Sequence, residues 1–430
     1  GSEMCIRDRL KRTHVHSCLT RIGGQTLASL PITGAEQTDG YRNKVQFPVQ
    51  EQNGKPVAGF FAGKTHTVIP AAHCRIQPDC ADAIRGAVLA WMEQYHIRAY
   101  DEQTHTGYIR HIYIRFGAES GQILVCITAN TQQLPKKKQL VQTLLVAEPG
   151  ITTIVFSPNT KKGNTVLGTE FLPLYGDGTI TDTLCGLQFR LSAPAFYQVN
   201  HAQAERLYEK AAALAGLTGE ETVLDLYCGT GTITLCLARH AKKAVGVEII
   251  PQAIEDAKFN AAQNGMDNAE FYCMDAGAAA KLLAERGEKP DVIVVDPPRK
   301  GVEPAVIDAI AQAAPKRVVY VSCNVATQAR DAALFVEKGY RVQKVQSVDM
   351  FCWTSGVENV MVLSKLKEAK HIDIHVDMSE LDVTKVEAES SATYEEIKAY
   401  VQEHFGVKVS ALNIAQVKRK YGIIERECYN

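Results

Sequence analysis

Hydrophobic and polar positions follow two different patterns along the 430 residues of the chain. Up to about residue 195, alternating stretches at 109–116 and 122–127 predict neighbouring strands of a half-exposed sheet, and the pattern over 82–95 predicts an amphipathic helix. From about 196, near-continuous apolar runs alternate with helical segments, which is typical of a parallel sheet covered by helices on both faces. The last apolar run, 359–363, follows no helix, and we expect it to pair antiparallel.

These patterns divide the chain into four segments. Residues 1–9 have no periodicity and are expected to be a non-native or disordered start. Residues 10–195 are expected to form an α+β domain, and 196–367 a doubly wound α/β domain. From 368 to 430 a polar segment is followed by a capping box at 393–396, which predicts a linker and a small helical module.

Composition and charge exclude several classes of protein. Lys and Arg number 47 against 48 Asp and Glu, so the net charge is -1 and any polyanion must be met by local basic patches. No apolar run reaches the roughly 18 residues of a membrane span, and no signal-peptide pattern begins the chain. Twelve cysteines without a Cys-x-x-Cys pair favour a reducing compartment. We therefore expect a cytoplasmic protein without membrane contact.

A glycine pair lies between an apolar strand and a helix, in the segment 225–232 (DLYCGTGT). Gly229 and Gly231 allow a tight turn and close approach of a ligand to the backbone. Glu248 ends the next strand, where a carboxylate can bind the two ribose hydroxyls. Because Thr234 occupies the third glycine position of a dinucleotide fingerprint, a shorter glycine loop is indicated. The glycine pair alone is equally compatible with a plain strand–turn–helix corner.

Three further motifs follow strands at the predicted carboxyl edge of the sheet, where ligands bind in such folds. Asp296 begins a stiff Asp-Pro-Pro-Arg loop, Cys323 follows the next strand, and Glu358 precedes the last one. Each residue also has an ordinary alternative. The prolines can simply stiffen a loop, most buried cysteines are inert, and an isolated glutamate is usually solvated. Their common edge makes a shared pocket the stronger interpretation.

These motifs in this order, with Phe-Tyr-Gln-Val-Asn at 196–200 upstream, resemble the RNA uracil-5 methyltransferase family over about 10–367. The resemblance implies a Rossmann-like class I methyltransferase domain at 196–367, an RNA-binding role for 10–195, and S-adenosylmethionine as cofactor. It implies that Cys323 is the nucleophile and Glu358 the base. The implied cofactor-binding residues are Gln198, Tyr227, Gly229, Gly231, Thr232, Glu248, Asp275 near the adenine, and Asp296.

The sequence departs from the family pattern at three points. Members often carry Pro where Cys352 stands and His where Gly356 stands, so we expect different hydrogen-bond support for the base. Many rRNA-type members also have a small N-terminal β-barrel and a four-cysteine iron–sulfur cluster. Only Cys74 matches a possible ligand position, and one thiolate cannot hold a cluster. We therefore expect no metal, while truncation could have removed the site.

The segments 21–24 and 41–44 look like those of the bacterial 23S rRNA enzymes of the family, so we expect an enzyme acting on 23S rRNA. We also expect a monomer. Candidate RNA contacts are basic or aromatic: Arg42, Lys44, Arg110, Tyr113, Arg115, Lys136 to Lys138, Lys161 and Lys162. A tRNA uracil-5 methyltransferase and a non-catalytic RNA-binding or folding factor remain alternatives. A cytosine-5 enzyme is disfavoured because Arg299 stands where that class commonly places a cysteine.

Overall fold

The computed structural model describes residues 2–28, 30–279 and 289–366, together with 398, 399, 402 and 403. The chain divides into two compact units, Gly1–Lys367 and Glu368–Asn430. The four described residues of the second unit are helical, and the predicted linker and helical module otherwise lie outside the described residues. All elements below belong to the first unit.

The helices lie in the first unit as follows: α1 Ser2–Arg21, α2 Cys80–Gln94, α3 Lys137–Ala147, α4 His201–Ala215, α5 Thr232–Ala238, α6 Pro251–Gln263, α7 Pro304–Ala313 and α8 Val325–Glu337. Residues 2–9 are the first turns of helix α1, so a disordered start is not what the structure has, whereas the expectation that these residues are non-native stays a prediction. Periodicity did not reveal this helix since polar residues occupy most of its first half.

A seven-stranded sheet forms the core of the N-terminal region. Its strands are β2 Lys44–Gln52, β3 Lys55–Phe61, β4 Val68–Pro70, β5 Ile109–Phe116, β6 Ile123–Ala129, β7 Ile151–Pro158 and β8 Leu172–Tyr175, in the order β4-β3-β2-β5-β6-β7-β8. The helices α2 and α3 pack against each other beside this sheet, and their apolar faces share a core with it. Both faces of β5 and β6 are buried, although the alternation predicted half-exposed strands.

The second sheet has eight strands in the described residues. They are β1 Ile32–Thr33, β11 Thr222–Leu226, β12 Lys243–Glu248, β13 Ala269–Cys273, β14 Val292–Val295, β15 Arg317–Ser322, β16 Tyr340–Val348 and β17 Glu358–Lys365. The order is β1-β16-β17-β15-β14-β11-β12-β13. The strands β11 to β15 pair in parallel, whereas β17 runs antiparallel to β15 and β16. The doubly wound sheet and its antiparallel last strand are therefore confirmed.

The predicted boundary at residue 195 is wrong, because both ends of the segment 10–195 pack with the second sheet. The helix α1 packs against α8, and β1 pairs in parallel with β16. A hairpin of β9, Thr179–Leu184, and β10, Leu187–Ser192, packs against α5 and α6. These contacts are tertiary, so a local pattern could not assign them. The strand β16 was also missed, since a register shift between Val342 and Lys344 interrupts its alternation.

Candidate active site

The glycine loop after β11 has an unusual backbone. Tyr227 has φ of 110°, Gly229 54° and Gly231 84°. The amides of Tyr227 and Cys228 both donate to the Val247 carbonyl, at 2.9 and 3.0 Å, which fixes the turn against β12. A Cβ on Gly229 would meet nothing within 4 Å, whereas one on Gly231 would lie 3.0 Å from the Phe271 ring. Gly229 thus faces open space and Gly231 permits close packing.

Glu248 is the last residue of β12, and Asp275 lies two residues after the neighbouring strand β13. The Oε1 atom of Glu248 accepts from the amides of Ile249 and Ile250 at 2.8 and 3.1 Å, which orients the carboxylate at the sheet edge. The Oδ1 atom of Asp275 accepts from the amides of Gly277 and Ala278. In both side chains one oxygen accepts these backbone hydrogen bonds, and the arrangement leaves the second oxygen for other contacts.

The segment 196–200 lies beside the glycine loop. The Thr230 hydroxyl is 3.5 Å from the Phe196 carbonyl, and the Phe196 ring is 58% exposed. Gln198 is buried, and its carbonyl accepts from the Asn43 side chain at 2.8 Å. The hydroxyl of Thr232 is 3.3 Å from that of buried Tyr208. The segment that contains Gln198 therefore contacts the loop through Phe196, while the side chain of Thr232 faces the protein interior.

Two carboxyls, the fully buried Asp225 and the partly buried Asp296, lie at the carboxyl ends of the adjacent strands β11 and β14. Asp225 is fully buried, accepts from the Thr234 hydroxyl at 2.6 Å through Oδ2, and has no partner for Oδ1. Burial, opposed by the bond from Thr234, raises its carboxyl pKa to about 7. Burial and then the charge of Asp225 raise the pKa of Asp296 to about 7. Because Glu248 adds further negative charge, this crevice favours a cation, and the sulfonium of S-adenosylmethionine fits that requirement.

Cys323 and Glu358 face each other across two antiparallel strands. Ser322 of β15 pairs with Asn359 of β17, so the next residues along the register are Cys323 and Glu358. Cys323 is partly buried, and burial followed by the nearby Glu358 carboxylate raises the pKa of its thiol. Glu358 is 4% exposed, and burial followed by Asp296 raises the pKa of its carboxyl well above the usual range. The topology thus assembles the three predicted side chains at one edge.

Arg299 is the functional candidate that the sequence analysis missed. Its guanidinium lowers the pKa of Cys323 through its charge and through a hydrogen bond, and it also lowers that of Glu358. It is the cation that offsets the surrounding carboxylates. Its position directly after Asp-Pro-Pro, at the same sheet edge as Cys323, was the available signal.

The loop that carries Arg299 is fixed by the helix after Cys323. Asn324 caps α8 through the amides of Ala326 and Thr327, and its Nδ2 donates to the Arg299 carbonyl at 3.0 Å. Arg330 donates to the Lys300 carbonyl at 2.9 Å. These hydrogen bonds therefore fix the loop that carries Arg299 relative to the start of α8.

Several predicted RNA contacts are instead structural. Arg110 is buried and donates to the carbonyls of Asn159, Lys161 and Gly163. Arg115 is fully buried and donates to the Tyr113 hydroxyl and the Ala195 carbonyl. The prediction that Arg110 and Arg115 contact RNA is therefore wrong, because protein covers both faces of β5.

Within residues 2–28, 30–279 and 289–366, no group of three or more His, Cys, Asp or Glu side chains could hold a metal ion. Cys74 is partly buried, and its thiol is free. A search of the same residues for long apolar helices finds none that could cross a membrane.

The fold defines the class of protein. The chain is similar to the crystal structure of Pyrococcus abyssi tRNA (uracil-54, C5)-methyltransferase in complex with S-adenosyl-L-homocysteine, with a TM-score of 0.70 and 24% identity. The match covers 84% of this chain and 83% of that one. The chain thus has the Rossmann-like fold of S-adenosylmethionine-dependent methyltransferases.

Sequence comparisons give the family. A model described as tRNA (Uracil-5-)-methyltransferase matches residues 174–366. An uncharacterised RNA methyltransferase of Clostridium acetobutylicum is 44% identical over 83% of this chain and 78% of its own length. One from Halalkalibacterium halodurans is 43% identical over 83% and 78%. The chain belongs to the RNA uracil-5 methyltransferase family: it is an RNA methyltransferase that uses S-adenosylmethionine.

Proposed function

We propose that the protein methylates C5 of a uracil in 23S rRNA through a covalent Cys323–C6 adduct. The observation that carries this proposal is the register of β15 and β17, which sets Cys323 opposite Glu358 with Arg299 and Asp296 beside them. Uracil C5 is a weak nucleophile, so an attacking group is needed at C6. The paired thiol and carboxyl supply an attacking group and a proton acceptor at one edge.

In the proposed reaction Cys323 forms and later breaks a bond to the uracil ring, and Glu358 accepts a proton. The Cys323 thiolate adds to C6, and the C5–C6 electron pair moves into the ring to give an enolate. When bound, S-adenosylmethionine supplies a methyl group on a sulfonium centre. After C5 has been methylated, the Glu358 carboxylate removes the C5 proton, the C5–C6 double bond forms again, and the thiolate of Cys323 leaves.

The surrounding charges fit these two roles. Arg299 favours the thiolate, since its charge opposes the effects of burial and of Glu358. The raised pKa of Glu358 makes its carboxylate a stronger base once it is ionised. We place the cofactor against Gln198, Tyr227, Gly229, Gly231, Thr232, Glu248, Asp275 and Asp296. The raised pKa of Asp296 and the partnerless Oδ1 of Asp225 support a cationic ligand there.

The choice of 23S rRNA rests on the segments 21–24 and 41–44. A tRNA substrate is the second candidate, because the matched family model is described by tRNA and the Pyrococcus abyssi relative acts on tRNA. One chain supplies every proposed catalytic residue, which supports a monomer. A cytoplasmic location is inferred from the RNA substrate.

The test incubates the full-length protein and S-adenosylmethionine with unmodified 23S rRNA or with tRNA transcripts. Mass spectrometry of digested RNA then measures 5-methyluridine. We expect product from 23S rRNA, no product with Cys323→Ala, and normal activity with Cys273→Ala, an exposed cysteine control. Product from tRNA alone would overturn the substrate. Undiminished activity of Cys323→Ala would overturn the mechanism.

A further inference from the structure

Lys11 of α1 is buried in the catalytic unit, although a lysine ammonium is costly to remove from water. It is 1% exposed, and its Nζ atom donates to three acceptors of one loop. These are Oδ1 of Asp349 at 2.5 Å, the carbonyl of Phe351 at 2.9 Å and the carbonyl of Gly356 at 2.7 Å. Three acceptors match the three N–H donors of an ammonium group. Lys11 is therefore fully satisfied by this loop.

The loop 349–356 joins β16 to β17 and leads directly to Glu358. Its start is fixed by the amide of Asp349, which donates to the Thr33 carbonyl at 2.9 Å. At its end Val357 is 1% exposed and packs in the core, while Gly356 has no side chain and its amide donates to the Thr354 hydroxyl within the loop. The bond from Lys11 to the Gly356 carbonyl is thus a long-range contact two residues before the proposed base.

Arg7, one turn earlier on α1, provides an internal comparison. Its Nε atom donates to Oδ2 of Asp349 at 2.7 Å, and among the described residues this is its hydrogen bond to the loop. The carboxylate of Asp349 is fully buried and is shared between the two cations. Loss of Lys11 would leave Asp349 paired with Arg7, whereas the carbonyls of Phe351 and Gly356 would each lose a donor. Substitution of Arg7 would therefore remove a charge partner of Asp349, whereas substitution of Lys11 would also remove the hydrogen bonds that restrain the loop.

We propose that Lys11 is a positioning residue that holds loop 349–356 so that Glu358 can remove the C5 proton. This inference rests on the proposed function of Glu358. It assigns Lys11 to one step, the removal of the C5 proton. The bond between Cys323 and C6 has formed, and C5 has been methylated, before that step. A displaced Glu358 would leave the methylated uracil attached to Cys323.

The test compares the full-length variants Lys11→Met, Arg7→Met and Glu358→Gln with the wild type. Each is incubated with S-adenosylmethionine and the unmodified 23S rRNA and tRNA transcripts. Denaturing gels measure the covalent protein–RNA adduct, and mass spectrometry measures its methylation. Steady-state assays give kcat and KM for the RNA. We expect Lys11→Met to lower kcat by about tenfold to a hundredfold, with KM little changed, and to accumulate methylated adduct as Glu358→Gln does. Arg7→Met should accumulate less.

The outcomes distinguish the inference from the function on which it rests. If Glu358→Gln accumulates methylated adduct and Lys11→Met does not, the role of Lys11 is overturned and the base assignment stands. If neither accumulates it while the wild type is active, both fail. Equal accumulation in Arg7→Met would assign the effect to the charge of Asp349 instead. Should Lys11→Met fail to fold, Lys11→Gln replaces it, because its shorter side chain offers two donors to three acceptors and leaves the loop only partly held; a wild-type kcat without methylated adduct would then overturn the proposal.

Discussion

Asp331 accepts a hydrogen bond from the amide of Val302 at 2.8 Å, which joins α8 to the loop that carries Arg299. The same oxygen accepts from the Tyr320 hydroxyl at 2.7 Å, and Oδ1 accepts from Nε of Arg330. Asp331 is fully buried. The helix that follows Cys323 and the Asp-Pro-Pro-Arg loop are therefore held by one carboxylate.

We expect Asp331→Asn to lower the free energy of unfolding by about 2 kcal/mol, because an amide has one acceptor oxygen for donors that now share two. Urea denaturation measures this loss. Activity should fall with stability, since the Arg299 loop loses its support. Asp308→Asn, at a half-exposed carboxylate on α7, is the control. It should lower the free energy of unfolding by less than half as much.

The turn at Gly301 has no room for a side chain. Its φ is 83°, and a Cβ would lie 2.5 Å from Oδ2 of Asp331. Gly339 has nearly the same φ, 85°, but open space around it. Gly339→Ala should lower the free energy of unfolding by about 1 kcal/mol, because alanine is strained at this φ. Gly301→Ala should lower the free energy of unfolding by more than this and should also reduce methylation. Thermal denaturation measures the first effect and the activity assay the second. Equal costs and equal activities would show that the contact with Asp331 is unimportant.

The pH dependence of adduct formation should depend on Arg299. Its guanidinium lowers the pKa of the Cys323 thiol, so Arg299→Met should raise that pKa and reduce the thiolate at neutral pH. The rate of adduct formation should fall severalfold at pH 7 and recover at higher pH. Stopped-time denaturing gels across pH 6–10 measure this rate, in about half-unit steps. The neighbouring exposed Lys300, as Lys300→Met, should leave the profile in place. An unshifted profile in Arg299→Met would contradict the assignment.

Stability should depend on pH through Asp225. Its carboxyl pKa is raised from 3.8 to about 7 in the folded protein, so folding is favoured by the protonated form. This contribution is fully present below the unfolded pKa and is lost as the pH rises through the folded pKa of about 7. Without cofactor, the wild type should lose stability between pH 5 and pH 8, by urea denaturation, and Asp225→Asn should lose less. Asp267→Asn, at an exposed position, should behave as wild type. The same loss in Asp225→Asn would contradict this expectation.

Local patterns were sufficient for much of the fold and for the candidate site. The apolar runs of β11, β12, β14 and β15 predicted the parallel sheet, because strands covered on both faces are apolar at nearly every position. The turn chemistry of Gly229 and Gly231 predicted the tight loop at which we propose the cofactor binds, and the motifs singled out Cys323 and Glu358. The roles of these residues remain predictions.

Only the tertiary structure decided which elements share a core and which charges meet. The helix α1 and the strand β1 join the second sheet through contacts more than 300 residues away in the chain, as Lys11 and Asp349 show. The burial of Arg115 and the approach of Arg299 to Cys323 likewise depend on distant segments. The sequence by itself determined periodicity, turn chemistry and motif order, since these depend on neighbouring residues. Long-range pairing, burial and pKa shifts depend on groups that only the folded chain brings together.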